Sequence, residues 1–79
     1  MYKYSDFKDK LGDKYIQLKL FDIYNYMMED AHYTTEELFK PVSGDSWETL
    51  ACIDRLEELR LIRCIYNEGS RNYWRYKKV

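Results

Sequence analysis

Between Arg60 and Leu61 the hydrophobic period of the chain changes, and no other feature of the sequence restricts its fold as tightly. Before that point apolar residues recur at helical spacing. Ile16, Leu20, Ile23 and Met27 stand at i, i+4, i+7 and i+11, flanked by Phe21, Tyr24 and Met28. After it, "LIRCIYN" and "RNYWRYKKV" are rich in β-branched and aromatic residues and are separated by "EGS". That pattern predicts a β-hairpin, Leu61–Asn67 paired with Arg71–Lys77, with Gly69 at the positive-φ position. Helices first and a terminal hairpin last describe a mainly α domain with a small β element, an α+β fold.

The helical part divides at its capping signals. A core helix opens at Asp13 and is expected to stop near Glu29-Asp30. In "TTEEL", Thr34 and Glu37 have capping-box spacing, and Pro41 limits the short helix they start to a turn or two. "VSGDS" then reads as a loop. Asp45 caps a third helix, with Glu48 three residues on as a second box. On that helix Thr49, Cys52, Ile53, Leu56 and Leu59 share one face, while Trp47, Ala51, Asp54 and Glu58 share the opposite one, beside Leu50 and Glu57. Residues 1–12 form an N-terminal extension. Ser5, Phe7 and Leu11 suit a short helix ending at Gly12, and the alternation of Tyr2 and Tyr4 suits a strand equally well. Residues 13–79 make the domain proper.

A chain of 79 residues is one domain and buries only about 60–65% of its unfolded surface. Apolar content of 46% against 34% charged excludes a disordered chain. Cys52 and Cys64 lack CxxC spacing and, with His32 as the single histidine, cannot complete a zinc site; both are expected as reduced, buried thiols. No metal or other cofactor is expected. Neither a membrane span nor a signal-peptide core stands out, so a cytoplasmic protein with no membrane partner is expected.

Helix, short capped helix, turn, longer helix and hairpin, in that order, resemble a winged helix-turn-helix domain. "TTEELF", "DSWETLACIDRLEELRLI" and the basic hairpin carry the resemblance, with Asp45, Thr49, Cys52, Ile53, Leu56, Leu61 and Ile62 filling the family's cap and apolar positions. It covers about residues 14–78 and implies three helices plus a C-terminal wing. The family usually has Gly at the exit of its third helix. Here Arg60 stands there; a non-glycine residue in left-handed backbone costs about 1 kcal/mol, so a differently shaped exit is expected.

Charge is distributed unevenly. Residues 60–79 hold six Lys/Arg and one acid, net +5; the first 59 hold seven bases and thirteen acids, net −6. The resemblance places the cationic hairpin along a phosphate backbone, so duplex DNA is the leading expected partner and a small transcriptional or replication regulator the expected role. Arg71, Asn72, Arg75, Lys77 and Lys78 are the wing candidates. Thr35, Ser43, Ser46 and Trp47 are the candidates at the helix starts, where free N–H groups attract phosphate, and Lys40 in the turn is a further one. Plain capping is the competing role for the hydroxyls.

The exposed side of the third helix argues another way. A major-groove reader presents Arg, Lys, Asn or Gln; this helix presents Trp47, Leu50, Asp54, Glu57 and Glu58. The alternative expectation is a protein-interaction domain, with Trp47 and Leu50 as apolar anchors inside an acidic rim facing a basic partner. A second copy of the chain would also serve, with aromatics of residues 1–12 in the seam. Stacking of single-stranded bases on Tyr66, Tyr73, Trp74 or Tyr76 is a third expectation. No tyrosine is singled out by a basic clamp as a nucleophile, and His32 stands alone, so no catalytic residue is assigned and no enzyme is expected.

Overall fold

The computed structural model describes residues 3–79. Three helices, α1 (Tyr4–Leu11), α2 (Asp13–Tyr26) and α3 (Ser46–Glu58), pack beneath a sheet of β1 (His32–Thr34), β2 (Ile62–Tyr66) and β3 (Arg75–Lys78). The sheet is antiparallel in the order β1-β3-β2. From α2 onward the elements run helix, strand, 3₁₀ turn (Glu37–Phe39), helix, strand, 3₁₀ turn (Arg71–Tyr73), strand. This is an α+β, winged-helix-like topology.

The N-terminal segment is helical, not extended; Tyr2 lies outside the described residues. At the start of α1 the Asp6 carboxylate reaches back and accepts from the Lys3 N–H at 2.9 Å. Gly12, at φ +95°, turns the chain from α1 into α2. Phe7 is buried in the same cluster as Ile16, Leu20, Ile23, Met27, Cys52, Ile53, Leu56, Ile62 and Tyr76. Residues of the extension therefore belong to the domain's own core.

α2 ends at Tyr26, short of the expected Glu29-Asp30. Met27 is extended and buried, the Met28 N–H donates to the Tyr33 hydroxyl at 2.9 Å, and Asp30 takes left-handed backbone at φ +63°. Each of these is incompatible with one more helical turn.

The Thr34–Glu37 box forms as expected: Thr34 Oγ1 accepts from the Glu37 N–H at 3.2 Å, and Glu37 Oε1 accepts from the Thr34 N–H at 3.1 Å. These bonds hold the Glu37 carboxyl below its usual pKa. The helix they start does not propagate beyond the 3₁₀ turn. Thr34 also ends strand β1, and Thr35 is fixed from outside by the Trp74 carbonyl, which accepts its N–H at 2.8 Å.

On α3, Asp45 caps by accepting from the Trp47 N–H at 2.8 Å. Glu48 does not complete the second box. Its carboxylate turns to Lys19 of α2, at 3.0 Å. Two positions depart from the expected faces: Ala51 is buried, and Leu59 is exposed. α1 packs against α3 as well as α2, covering a flank that the isolated helix would show to water.

The hairpin forms with two corrections. β3 starts only at Arg75, and Arg71–Tyr73 make a 3₁₀ turn instead of strand. Cys64 is half-buried rather than enclosed, whereas Cys52 is fully buried, and burial pushes its thiol up to about 12. Gly69 takes the expected positive φ, and Arg60, where a differently shaped exit was expected, nevertheless keeps left-handed backbone at φ +60°.

Candidate nucleic-acid interface

Strand alternation sorts the cationic residues of the C-terminal ribbon onto two sides of the sheet. Tyr76 is fully buried, so its neighbours Arg75 and Lys77 point to the outer face. The register places Lys77 opposite His32 on one side and Arg63 on the other, and sets Arg75 beside Thr34. His32, Lys77 and Arg63 thus form one row across three strands, about 4.8 Å apart, with Arg75 in the next row. The strand positions of that face bear no carboxylate. Glu29 and Asp30 line a shallow depression at its edge with Arg63, Lys77 and Lys78, and the Glu37 carboxylate is near enough to Arg75 for the two charges to attract. At none of the four bases does a carboxylate come within ion-pair distance among the described residues.

Arg63 is not among the sequence candidates, and His32, which stands alone in the sequence, is part of strand β1. Alternation along the strand puts Arg63 on one face with Ile65 without saying which face is outward. The link to His32 required a strand of only three residues, β1, too short to carry a period of its own.

Arg71 stands apart from this row. Its guanidinium donates to Asp54 of α3 at 2.6 Å and lies over the Trp74 ring, 4.9 Å from the centroid. Burial works against its charge, but the hydrogen bond to Asp54 and the neighbouring Tyr76 and Asp54 groups more than offset this, raising its pKa. Burial likewise pushes the Tyr76 hydroxyl up to about 12. Arg71 is thus a clamp between wing and α3, and its charge is largely spent inside the molecule. Lys78, on the inner side, places its ammonium 4.2 Å from the Tyr24 ring centroid.

The other candidates separate. Thr35 is completely buried, its hydroxyl donating to the Trp74 carbonyl at 3.2 Å, so it joins β1 to the wing and reaches no external phosphate. Lys40, Ser43, Ser46 and Asn72 are exposed, in three separate loops and helix starts. Trp47 is 47% exposed. Leu50 is half-buried, Glu57 is exposed, and Glu58 accepts from Arg55 at 3.2 Å. Of the aromatics considered for base stacking, Tyr66 and Tyr73 are exposed, Trp74 is half-buried under Arg71 and Tyr76 is enclosed.

Among the described residues no three His, Cys, Asp or Glu side chains converge as a metal cluster, and no helix is long and apolar enough to cross a membrane. Element order, sheet order and a cationic outer sheet face define a small winged-helix-like domain with a candidate polyanion surface. Comparison with protein-family models, with curated proteins and with solved structures finds no match to this chain.

Proposed function

We propose that the protein is a non-catalytic duplex-DNA-binding domain, a small transcriptional or replication regulator that grips phosphates through the outer face of its sheet. The observation that carries this reading is the His32–Lys77–Arg63 row with Arg75 beside it. Four basic side chains converge there from three strands while the chain as a whole is slightly acidic. Such a surface holds a polyanion by releasing condensed counterions, and it carries little base readout. The acids on α3 oppose insertion of that helix into the major groove, so the grip falls to the sheet and the wing.

The test is fluorescence anisotropy of a labelled mixed-sequence duplex from about 50 mM salt upward. Arg63→Ala with Lys77→Ala is expected to weaken binding about tenfold at low salt, on every sequence. It also lowers the slope of log K against log salt by about 1.8, two phosphate contacts at about 0.9 each. Unchanged affinity and slope in the double variant would overturn the reading.

One observation favours a second reading. Trp47 is exposed near half-buried Leu50 at the start of α3, with Glu57 and Glu58 exposed about 15 Å further along the same helix, an apolar anchor with acids along one helix that suits a basic protein partner. If wild type shows no duplex binding at low salt, and a cationic peptide binds the wild type but not Trp47→Ala, this second reading replaces the first.

A further inference from the structure

The outward side of α2 carries three large apolar side chains that stay about half exposed: Tyr15, Leu18 and Phe21, at 49%, 55% and 45%. Leu18 is the centre of this surface. Tyr15 and Phe21, three residues before and after it, flank it on either side of the helix. Lys14 and Asp22 stand four residues before and after Leu18, both exposed and without an ion-pair partner among the described residues. Lys14, Leu18 and Asp22 therefore lie along one i±4 ridge, cation at one end, leucine in the middle, anion at the other. The charged ends sit about 6 Å along the axis from Leu18.

A ridge with opposite charges equidistant from an apolar centre is complementary to its own reversed copy. We infer that the outward face of α2 is the seam of a symmetric antiparallel homodimer. Leu18 lies at the two-fold axis, and Lys14 of each protomer faces Asp22 of the other. Packing of i±4 ridges from both helices, at a crossing of about −50°, brings the two ridges into line. Both ion pairs then form at the ends of an apolar contact between the leucines, with Tyr15 and Phe21 closing its sides. A two-fold axis parallel to the helices would set Lys14 on Lys14 and Asp22 on Asp22, so charge selects the antiparallel arrangement. The seam differs from one built on the N-terminal aromatics. Phe7 is buried within its own protomer, and the Tyr4 ring lies 5.6 Å beneath the Arg55 guanidinium. The inference does not depend on DNA binding.

Sedimentation velocity and native mass spectrometry of the full chain, from micromolar to millimolar concentration, test it. The wild type is expected to show a concentration-dependent dimer. Leu18→Asp, at an exposed position, is expected to be monomeric with an unchanged far-UV circular dichroism spectrum. Lys14→Asp alone and Asp22→Lys alone each turn two attractive pairs into two repulsive ones, weakening self-association about tenfold. Mixing these two reversed variants restores opposite charges at both ends, so they are expected to form a heterodimer more readily than either pairs with itself. A wild type that stays monomeric throughout would overturn the inference. So would a Leu18→Asp chain that still dimerises, or reversed variants that show no preference for each other.

Discussion

Glu48→Gln removes one charge from a pair that α2 and α3 bury between them, and its cost can be worked from the geometry. Lys19 and Glu48 are 3.0 Å apart, with side chains 5% and 13% exposed. Gln keeps the size and an acceptor oxygen but leaves the ammonium without a counter-charge in a site nearly closed to water. Breaking a buried pair from one side costs about 3–5 kcal/mol. The lower end applies here, because Lys19 also lines a groove with Asp22, Tyr15, Pro41 and Val42, towards which its flexible stem can turn. A domain of this size has about 4–12 kcal/mol in total, and each kcal/mol moves its Tm by about 4–8 °C. The expected fall is therefore about 12–24 °C at a fixed protein concentration. Urea unfolding followed by tryptophan fluorescence is expected to show a lower midpoint with the same slope. Replacing both partners, Lys19→Met with Glu48→Leu, is expected to return stability to within about 1 kcal/mol of wild type, since no charge is left stranded. A loss under about 4 °C for Glu48→Gln, or a double variant no more stable than the single one, would refute the reasoning.

Gly44 and Gly69 both have positive φ, but a Cβ at Gly44 would come within 3.1 Å of Glu48 Oε2 and Lys19 Nζ, whereas one at Gly69 meets open space. Urea melts are expected to show a loss of about 1 kcal/mol for Gly69→Ala and about 2 kcal/mol or more for Gly44→Ala; equal losses would remove the close-approach argument. A thiol reagent at about pH 8 is expected to label Cys64 in the native protein and Cys52 only after unfolding, and rapid native labelling of both would contradict the burial of Cys52. Because the folded Cys52 pKa lies above its unfolded value, near 9.0, its neutral thiol contributes stability in full below that pH. The contribution is lost as pH rises towards about 12. A serine at position 52 is expected to flatten this alkaline decline in melts taken between those limits.

The elements with a period of their own were legible from residues alone. α2 repeats its apolar stripe, α3 has a cap and a face, and the hairpin has alternation around a glycine turn. Their ends were less legible, because they are settled by partners distant in sequence. α2 stops where the Tyr33 hydroxyl takes the Met28 N–H. The segment leading into the capped turn is fixed where Trp74 takes the Thr35 N–H. Strand β1, at three residues, is below the length at which alternation can be read.

For the candidate surface, the sequence by itself determined that positive charge gathers in the last twenty residues and that α3 is acidic where it faces water. Both follow from composition and from spacing along a single element. Only the tertiary structure decided how those cations divide. Register carries Arg63, Lys77 and His32 into one outward row, contact with Asp54 draws Arg71 inward, and pleating turns Lys78 towards Tyr24. The reason is physical: a period along one strand fixes which side a residue takes, but its neighbours on that side come from other strands and helices. Those partners are set by packing between elements.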